Sequence, residues 1–313
     1  MSATVVVLAP SPLLTVTIED RAGEPDIHVH AGGQGVWQSR MLASLGVRVV
    51  LCAGLGGETG SVLGHLIPQE GVELRTVELS SRNGGYVHDR RDGDRTVVAH
   101  SPGGALDRHE HDALYELALS LGLEHGAALL SGPHEDRVVP SDLYGRLTAD
   151  LQSNGCRVAI DLSGERLTAA LEGGPDLVKV SHEELVADGR AESEDPVDLV
   201  TAMRALHDQG AGIVVVSRAA EPALALVDGE VLAIHLPPLR TAEPKGAGDS
   251  MTAGMMAALV QGRSPVDALR TGAACGALNV VRQGLGTGGS HAVQALADRI
   301  EIVRRNDDGT ERS

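Results

Sequence analysis

Short runs of β-branched and aliphatic residues recur along the chain, separated by stretches of helical periodicity. This alternation restricts the possible folds more than any other feature. The runs lie at residues 4–9, 47–53, 127–131, 158–162, 177–180 and 213–217. Between them Met41, Leu42 and Leu45 share one helical face, and Val266, Leu269, Ala273, Ala277 and Val280 form one stripe. Parallel strands need a crossover connection, and helices between strands provide it, so the pattern predicts an α/β fold with a mostly parallel central sheet flanked by helices. The apolar helix faces are expected to lie on that sheet. Residues 223–227 and 231–235 flank Asp228-Gly229, a tight-turn signal that places an antiparallel hairpin late in the sheet. At 313 residues the chain has room for one large domain or two smaller ones.

Two stretches break the rhythm. Residues 16–19 with 27–30, and 86–89 with 96–100 around Asp92-Gly93-Asp94, read as half-exposed antiparallel strands. They are expected to form a small β-sheet lid from two insertions, residues 11–30 and 79–103, on a core made of residues 1–10, 31–78 and 104–303. The charged segment 304–313 reads as a frayed tail.

Apolar residues make up 42% of the chain and charged residues 22%, the balance of an ordinary globule. Aromatics contribute only 1%, with no Phe, so Val, Leu, Ala and Ile must fill the interior. A platform for single-stranded nucleic acid, which needs stacking rings, is thereby disfavoured. The net charge of −17 works against polyphosphate backbones and acidic lipid surfaces, so neither nucleic acid nor membrane is an expected partner. Any anionic ligand must be small and held by locally placed donors. Lysine is scarce: Lys179 and Lys245 are the two in the sequence. Cys52, Cys156 and Cys275 are isolated and odd in number, which argues against a disulfide framework or a zinc knot. The apolar run at residues 5–9 is too short for a secretion signal, and a cytoplasmic location is expected.

The sharpest chemical feature is Lys245-Gly246-Ala247-Gly248-Asp249-Ser250, ahead of the helical run at residues 251–260. Small residues at a helix entrance let backbone N–H groups approach an anion, and the helix dipole favours negative charge there. An Asp at the end of such a loop could accept a proton from an attacking hydroxyl. The plainer alternative makes Asp249 a helix cap and the glycines a turn. A second cluster, Ala31-Gly32-Gly33-Gln34-Gly35, opens the helix that contains Trp37. Glycine loops near both ends of an α/β chain suit a site assembled at the carboxyl ends of the strands. His28 with His30, and His109 with His111, are pairs without a third ligand and make an incomplete metal site. The glycines at residues 284–289 read as a turn.

From about residue 5 to about residue 303 the sequence resembles the PfkB carbohydrate kinases, also called ribokinase-like kinases. It is most similar to their branch of 1-phosphofructokinases and tagatose-6-phosphate kinases. The carriers are AGGQGVWQSRMLASLG at 31–46, DLSGERL at 161–167, LVKVSHEEL at 177–185 and PKGAGDSMTAGM at 244–255. The resemblance implies a ribokinase-like fold and transfer of the γ-phosphoryl group of ATP, with Mg²⁺, to a hydroxyl of a sugar or sugar phosphate. It also implies a homodimer through the β lid. Asp249 matches the catalytic base, and Gly246, Ala247 and Gly248 match the anion hole. Lys179, Ser217 and Asn279 match nucleotide-binding positions, and Glu184 matches the acidic residue that organises Mg²⁺ through water. Gly32, Gly33, Gln34, Trp37 and Arg82 match substrate positions, Arg82 as the lid arginine that holds a substrate phosphate.

The departures from the family pattern cluster in sugar recognition. Leu13 stands where an Asp grips sugar hydroxyls, Gln34 where the Gly-Gly-Lys-Gly lysine belongs, and Trp37 where an Asn contacts the sugar. Ser181 replaces the metal-linked Asn, residues 217–222 replace a glycine-rich phosphate loop, and Ser131-Gly132-Pro133-His134 replaces Gly-Ser-Leu-Pro. Lys245 could restore part of the missing positive charge. These substitutions keep two alternatives open: a pseudokinase acting as ligand sensor or interaction protein, and a kinase of a non-sugar alcohol that packs on Trp37.

Overall fold

The computed structural model describes residues 3–93, 95–135, 137–239, 245–280 and 289–306. Strand β1 (Thr4–Ala9) opens a large sheet, and β2 (Leu13–Arg21) with β3 (Glu24–Gly32) begins a small one. Helix α1 (Gln34–Ser44), β4 (Arg48–Leu55), α2 (Gly57–Gln69) and β5 (Glu73–Glu78) return to the large sheet before β6 (Gly85–Asp89) and β7 (Thr96–Ser101) complete the small one. Strand and helix then alternate through α3 (Arg108–His125), β8 (Ala127–Ser131), α4 (Ser141–Ser153), β9 (Arg157–Asp161), α5 (Gly164–Leu171) and β10 (Leu177–Ser181). Helices α6 (His182–Ala187) and α7 (Pro196–Asp208) lead to β11 (Ile213–Arg218) and the hairpin of β12 (Glu221–Val227) and β13 (Glu230–His235). The described chain closes with α8 (Ala247–Val260), α9 (Pro265–Val280), α10 (Ser290–Ala297) and β14 (Glu301–Arg305).

The large sheet has ten strands in the order β14-β13-β12-β11-β10-β9-β8-β1-β4-β5. It is parallel from β11 to β5 and antiparallel from β11 to β14. All six strands read from the alternation are present, and Asp228 (φ 50°) and Gly229 (φ 80°) form the turn between β12 and β13. Successive residues of β1 serve opposite faces: Val5 and Val7 join a core with Met41, Leu42, Met255 and Leu269, while Val6 and Leu8 join one with Leu114, Leu147, Leu167 and Leu206. The period of two thus puts α1, α8 and α9 on one side of the sheet and α3, α4, α5 and α7 on the other.

Four differences from the sequence reading have physical causes. Strand β5 pairs in parallel with β4 at one edge, although its charged composition hides it. At the other edge β14 pairs with β13 as far as Arg305, so Arg304 and Arg305 are strand residues and not tail; residues 307–313 lie outside the described residues. The stripe of α9 lies largely along α8, where absent side chains allow close approach: a Cβ on Gly254 would come within 2.7 Å of the Cys275 sulfur. The lid strands run β3-β2-β6-β7, and the central pair β2–β6 is parallel, where antiparallel pairing was expected throughout. Both insertions leave the core in the same direction, and that fixes the pairing.

The pairing register gives the lid two different faces. Val16 lies opposite Val29, Ile18 opposite Ile27, and Val16 beside Val87, so these residues share one face. Thr15 lies between His30 and Tyr86, and Tyr86 opposite His100, which puts a tyrosine and histidine face on the other side.

Candidate active site

The carboxyl ends of β8, β9, β10 and β11 converge on the first turn of α8. Gly246 caps that helix in the left-handed region (φ 75°), with no side-chain cap bond. Glycine is the residue that adopts this conformation without strain. The Ser250 N–H is the one that bonds back to the Gly246 carbonyl, at 3.0 Å, so the N–H groups of Ala247, Gly248 and Asp249 point beyond the helix end. Asp249 is therefore inside the first turn rather than at the cap.

Two cavities flank this turn. The first, about 340 Å³, is lined by Asp249, Asp161, Glu184, Gln34, Trp37, Leu13, Gly33, Tyr86, His134, Arg166 and Lys245, among others. The second, about 310 Å³, is lined by Ala247, Gly248, Lys179, Ser181, Glu183, Ser217, Met251, Gly276 and Ala277, among others. One turn of helix thus supplies a carboxylate to one cavity and small residues with outward amides to the other.

Beneath the turn is a buried ion pair. Lys179 on β10 is in register with Asp161 at the end of β9, and its Nζ lies 3.4 Å from the Asp161 Oδ1. Asp161 also accepts hydrogen bonds from Gln38 Nε2 at 3.0 Å and Thr252 Oγ1 at 2.7 Å, so the carboxylate is tied to α1 and α8 together. Gly248 makes room for the lysine: a Cβ there would sit 2.9 Å from the Lys179 Cε. Burial disfavours charge on Lys179, but the carboxylates of Asp161, Glu184 and Asp249 outweigh it and hold the ammonium protonated above its usual range. Burial raises the Asp161 carboxyl, and Lys179 opposes that rise. Asp249 is pushed up to about 7, first by burial and then by the negative charge of Asp161, against the pull of Lys179 and a hydrogen bond from Gln34. A carboxyl poised near neutrality is suited to exchange a proton with a ligand hydroxyl.

Several residues singled out by sequence are brought together here: Asp249, Gly33, Gln34, Trp37 and Glu184 at the first cavity, and Ala247, Gly248, Lys179 and Ser217 at the second. Gln34 also accepts a hydrogen bond from the Gly132 N–H at 2.9 Å, linking the glycine loop to the end of β8. Glu184 forms a capping box with Ser181, accepting from its N–H at 2.7 Å, while still lining the first cavity.

Other residues sit elsewhere. Asn279 lines neither cavity; it is fully buried and donates to the Lys245 carbonyl at 2.7 Å, bracing the loop from below. Gly32 lines neither and allows Thr15 to pack against the backbone, at 2.5 Å from where a Cβ would be. Arg82 is exposed and outside the lining, with its carbonyl accepting from the Gly104 N–H at 3.1 Å. Lys245, Arg166 and His134 bring the basic groups to the first cavity instead. Sequence reasoning gave no role to Asp161, Arg166 or Tyr86. A signal existed for Asp161, an acid at the end of a strand run in DLSGERL, but its partner is 18 residues away and visible only in register. The His28 and His30 rings stack 6.0 Å apart, and among the described residues no group of three potential metal ligands occurs. The glycine run at 284–288 lies outside the described residues.

Comparison with known proteins leads to one family. The model of the pfkB family carbohydrate kinases matches residues 15–292. The chain is 32% identical over 257 residues to the ATP-dependent 6-phosphofructokinase isozyme 2 of Escherichia coli K12, covering 81% of this chain and 82% of that protein. It is 27% identical over 275 residues to the 1-phosphofructokinase of Bacillus subtilis 168, covering 88% of this chain and 89% of that one. The crystal structure of phosphofructokinase-2 from E. coli in complex with potassium superposes with a TM-score of 0.83 at 28% identity, over 96% of this chain and 99% of that one. Sequence and shape lead to the same place: the chain has a ribokinase-like fold and belongs to the PfkB family of carbohydrate kinases.

Proposed function

We propose that this chain transfers the γ-phosphoryl group of ATP to a hydroxyl of a sugar phosphate, with Asp249 as general base. The observation that carries the reading is the double role of one helical turn: Asp249 faces the first cavity while Ala247 and Gly248 line the second. An acceptor hydroxyl in the first cavity gives its proton to Asp249 as its oxygen attacks. The amides of the turn, with the helix dipole, face the negative charge that moves between the cavities. Lys179 and Asp161 hold Gly248 and Thr252 in place beneath them. The relatives are named for phosphofructokinase activity, and fructose phosphates are therefore the first acceptors to try.

The residues fit Mg²⁺. It binds through one or two carboxylates, water and substrate phosphates rather than an all-protein cage, and Glu184 offers a carboxylate at the first cavity. Bound there, Mg²⁺ would neutralise phosphate oxygens. A non-sugar alcohol is favoured by one observation, the placement of Leu13 and Trp37 together in the first cavity wall. The apolar lid face, where Ile27 is 63% exposed and Val29 44%, supports a homodimer through the lid. No described helix is long and apolar enough to cross a membrane, and three buried free cysteines suit a reducing cytoplasm.

The test is ADP formation with fructose 6-phosphate, fructose 1-phosphate and tagatose 6-phosphate. Turnover is expected with at least one of them, and Asp249→Asn should lower kcat by about 10²- to 10⁴-fold. Failure of all three acceptors, or an Asp249→Asn enzyme with its rate intact, would refute the reading.

A further inference from the structure

We infer that Lys245 is the residue that selects an anionic acceptor in the first cavity. The inference rests on the kinase reading only in naming that cavity as the acceptor's. Lys245 precedes the Gly246 cap of α8 and lines the cavity that contains Asp249. Its Nζ lies 5.9 Å from the centre of the Trp37 ring and 5.8 Å from that of Tyr86. Trp37 belongs to α1 and Tyr86 to the lid strand β6, so the ammonium is held between core and lid.

Ring faces attract a cation through their quadrupole. The field of the ammonium reaches across the cavity: burial, then His100, then Lys245 keep the His134 imidazole below its usual range. Arg166 lines the same cavity, whereas Arg82 does not. In a chain of net charge −17, whose first cavity also holds the carboxylates of Asp161, Glu184 and Asp249, Lys245 and Arg166 are the cationic side chains of the lining that a small anion would meet. Position 34 faces the same space as Gln34, a side chain with no charge to offer. Because Lys245 lines the first cavity and is absent from the lining of the second, the anion it meets is the acceptor's own group and not the polyphosphate of the donor.

Calorimetry on the full chain tests this without turnover, with fructose 6-phosphate, fructose 1-phosphate and tagatose 6-phosphate as probes and fructose as the uncharged control. Lys245→Met keeps a straight apolar stem between the rings and removes the charge. It should weaken binding of the preferred hexose phosphate by about 10- to 100-fold, the range of a charge-assisted hydrogen bond. Fructose should bind wild type and variant alike, and Lys245→Arg should retain hexose phosphate binding within a few-fold. In steady state Lys245→Met should raise KM for the phosphorylated acceptor with little change in kcat. An unchanged affinity for hexose phosphate, an equal loss for fructose, a fall in kcat at constant KM, or a wild-type chain that binds none of the three phosphates would each overturn the inference. A chain that binds hexose phosphate through Lys245 but forms no ADP would instead break the kinase reading and leave the inference standing.

Discussion

Asp249 is the residue where the proposed function works against stability. Its folded carboxyl holds a proton up to about 7, while an ordinary aspartate releases it near 3.8. Across that window the folded chain binds more protons than the unfolded one, so this group's contribution to stability falls as pH rises. Two measurements follow from the same shift. In the proposed reaction the base must be ionised, so kcat/KM should climb with rising pH and level off above about pH 7. Asp249→Asn, which cannot ionise, should melt at a higher temperature than wild type near pH 8 and at a similar one near pH 5. A flat pH profile, or a variant less stable at both values, would show that the carboxyl does not carry this burden. The residues of this turn were legible because Gly246, Ala247, Gly248 and Asp249 are contiguous and their chemistry is local. Asp161 and Arg166 come from separate elements, and only register and sheet order bring them to the cavity. Arg82 is the opposite case: a suitable residue type in a suitable segment that is exposed and lines neither cavity.

At the scale of elements, α8 holds its first turn in place because α9 can lie close along it. A Cβ on Gly272 would come within 2.7 Å of the Met251 carbonyl oxygen, and one on Gly276 within 3.0 Å of the Ala247 carbonyl oxygen. Both clashes are with backbone, which cannot rotate away. Gly272→Ala should therefore cost about 1–3 kcal/mol of stability in urea unfolding, as overpacking does. Gly276→Ala presses on the turn that carries the amides, and its loss in kcat should exceed what its change in stability accounts for. If Gly276→Ala lowers stability but leaves kcat intact, the turn tolerates displacement and the spacing of the helices is not what positions it. The parallel strands and the hairpin were readable from the sequence because a strand covered on both faces needs an unbroken apolar run. Edge strands escape that demand. In β5 the sequence ELRTVE and in β14 the sequence EIVRR mix charged with apolar residues, and only their pairing identifies them.

For the molecule as a whole, the proposed dimer would connect the site to association through the lid. Its histidine and tyrosine face carries Tyr86 to the cavity wall, and its opposite face carries Val16, Ile18, Ile27, Val29 and Val87. Exposure of Ile27 at 63% and Val29 at 44% leaves an apolar surface that a second lid could cover. Two forces then compete. Burial of apolar side chains favours pairing, while a net charge of −17 on each copy opposes it. Salt screens the second and leaves the first, so the proposed dimer should tighten as ionic strength rises over about 0.01 to 0.15 M, where the screening length falls from about 30 to 8 Å. Sedimentation should report twice the chain mass for wild type and the single-chain mass for Val29→Asp, which puts a charge on the apolar face. Tyr86 is on the same sheet, so loss of the partner lid should also loosen one wall of the cavity and raise KM for the acceptor more than it lowers kcat. A wild-type chain that sediments as a monomer at every salt concentration would mean that the lid covers the site without help from a second copy. In that case the apolar face would require another occupant.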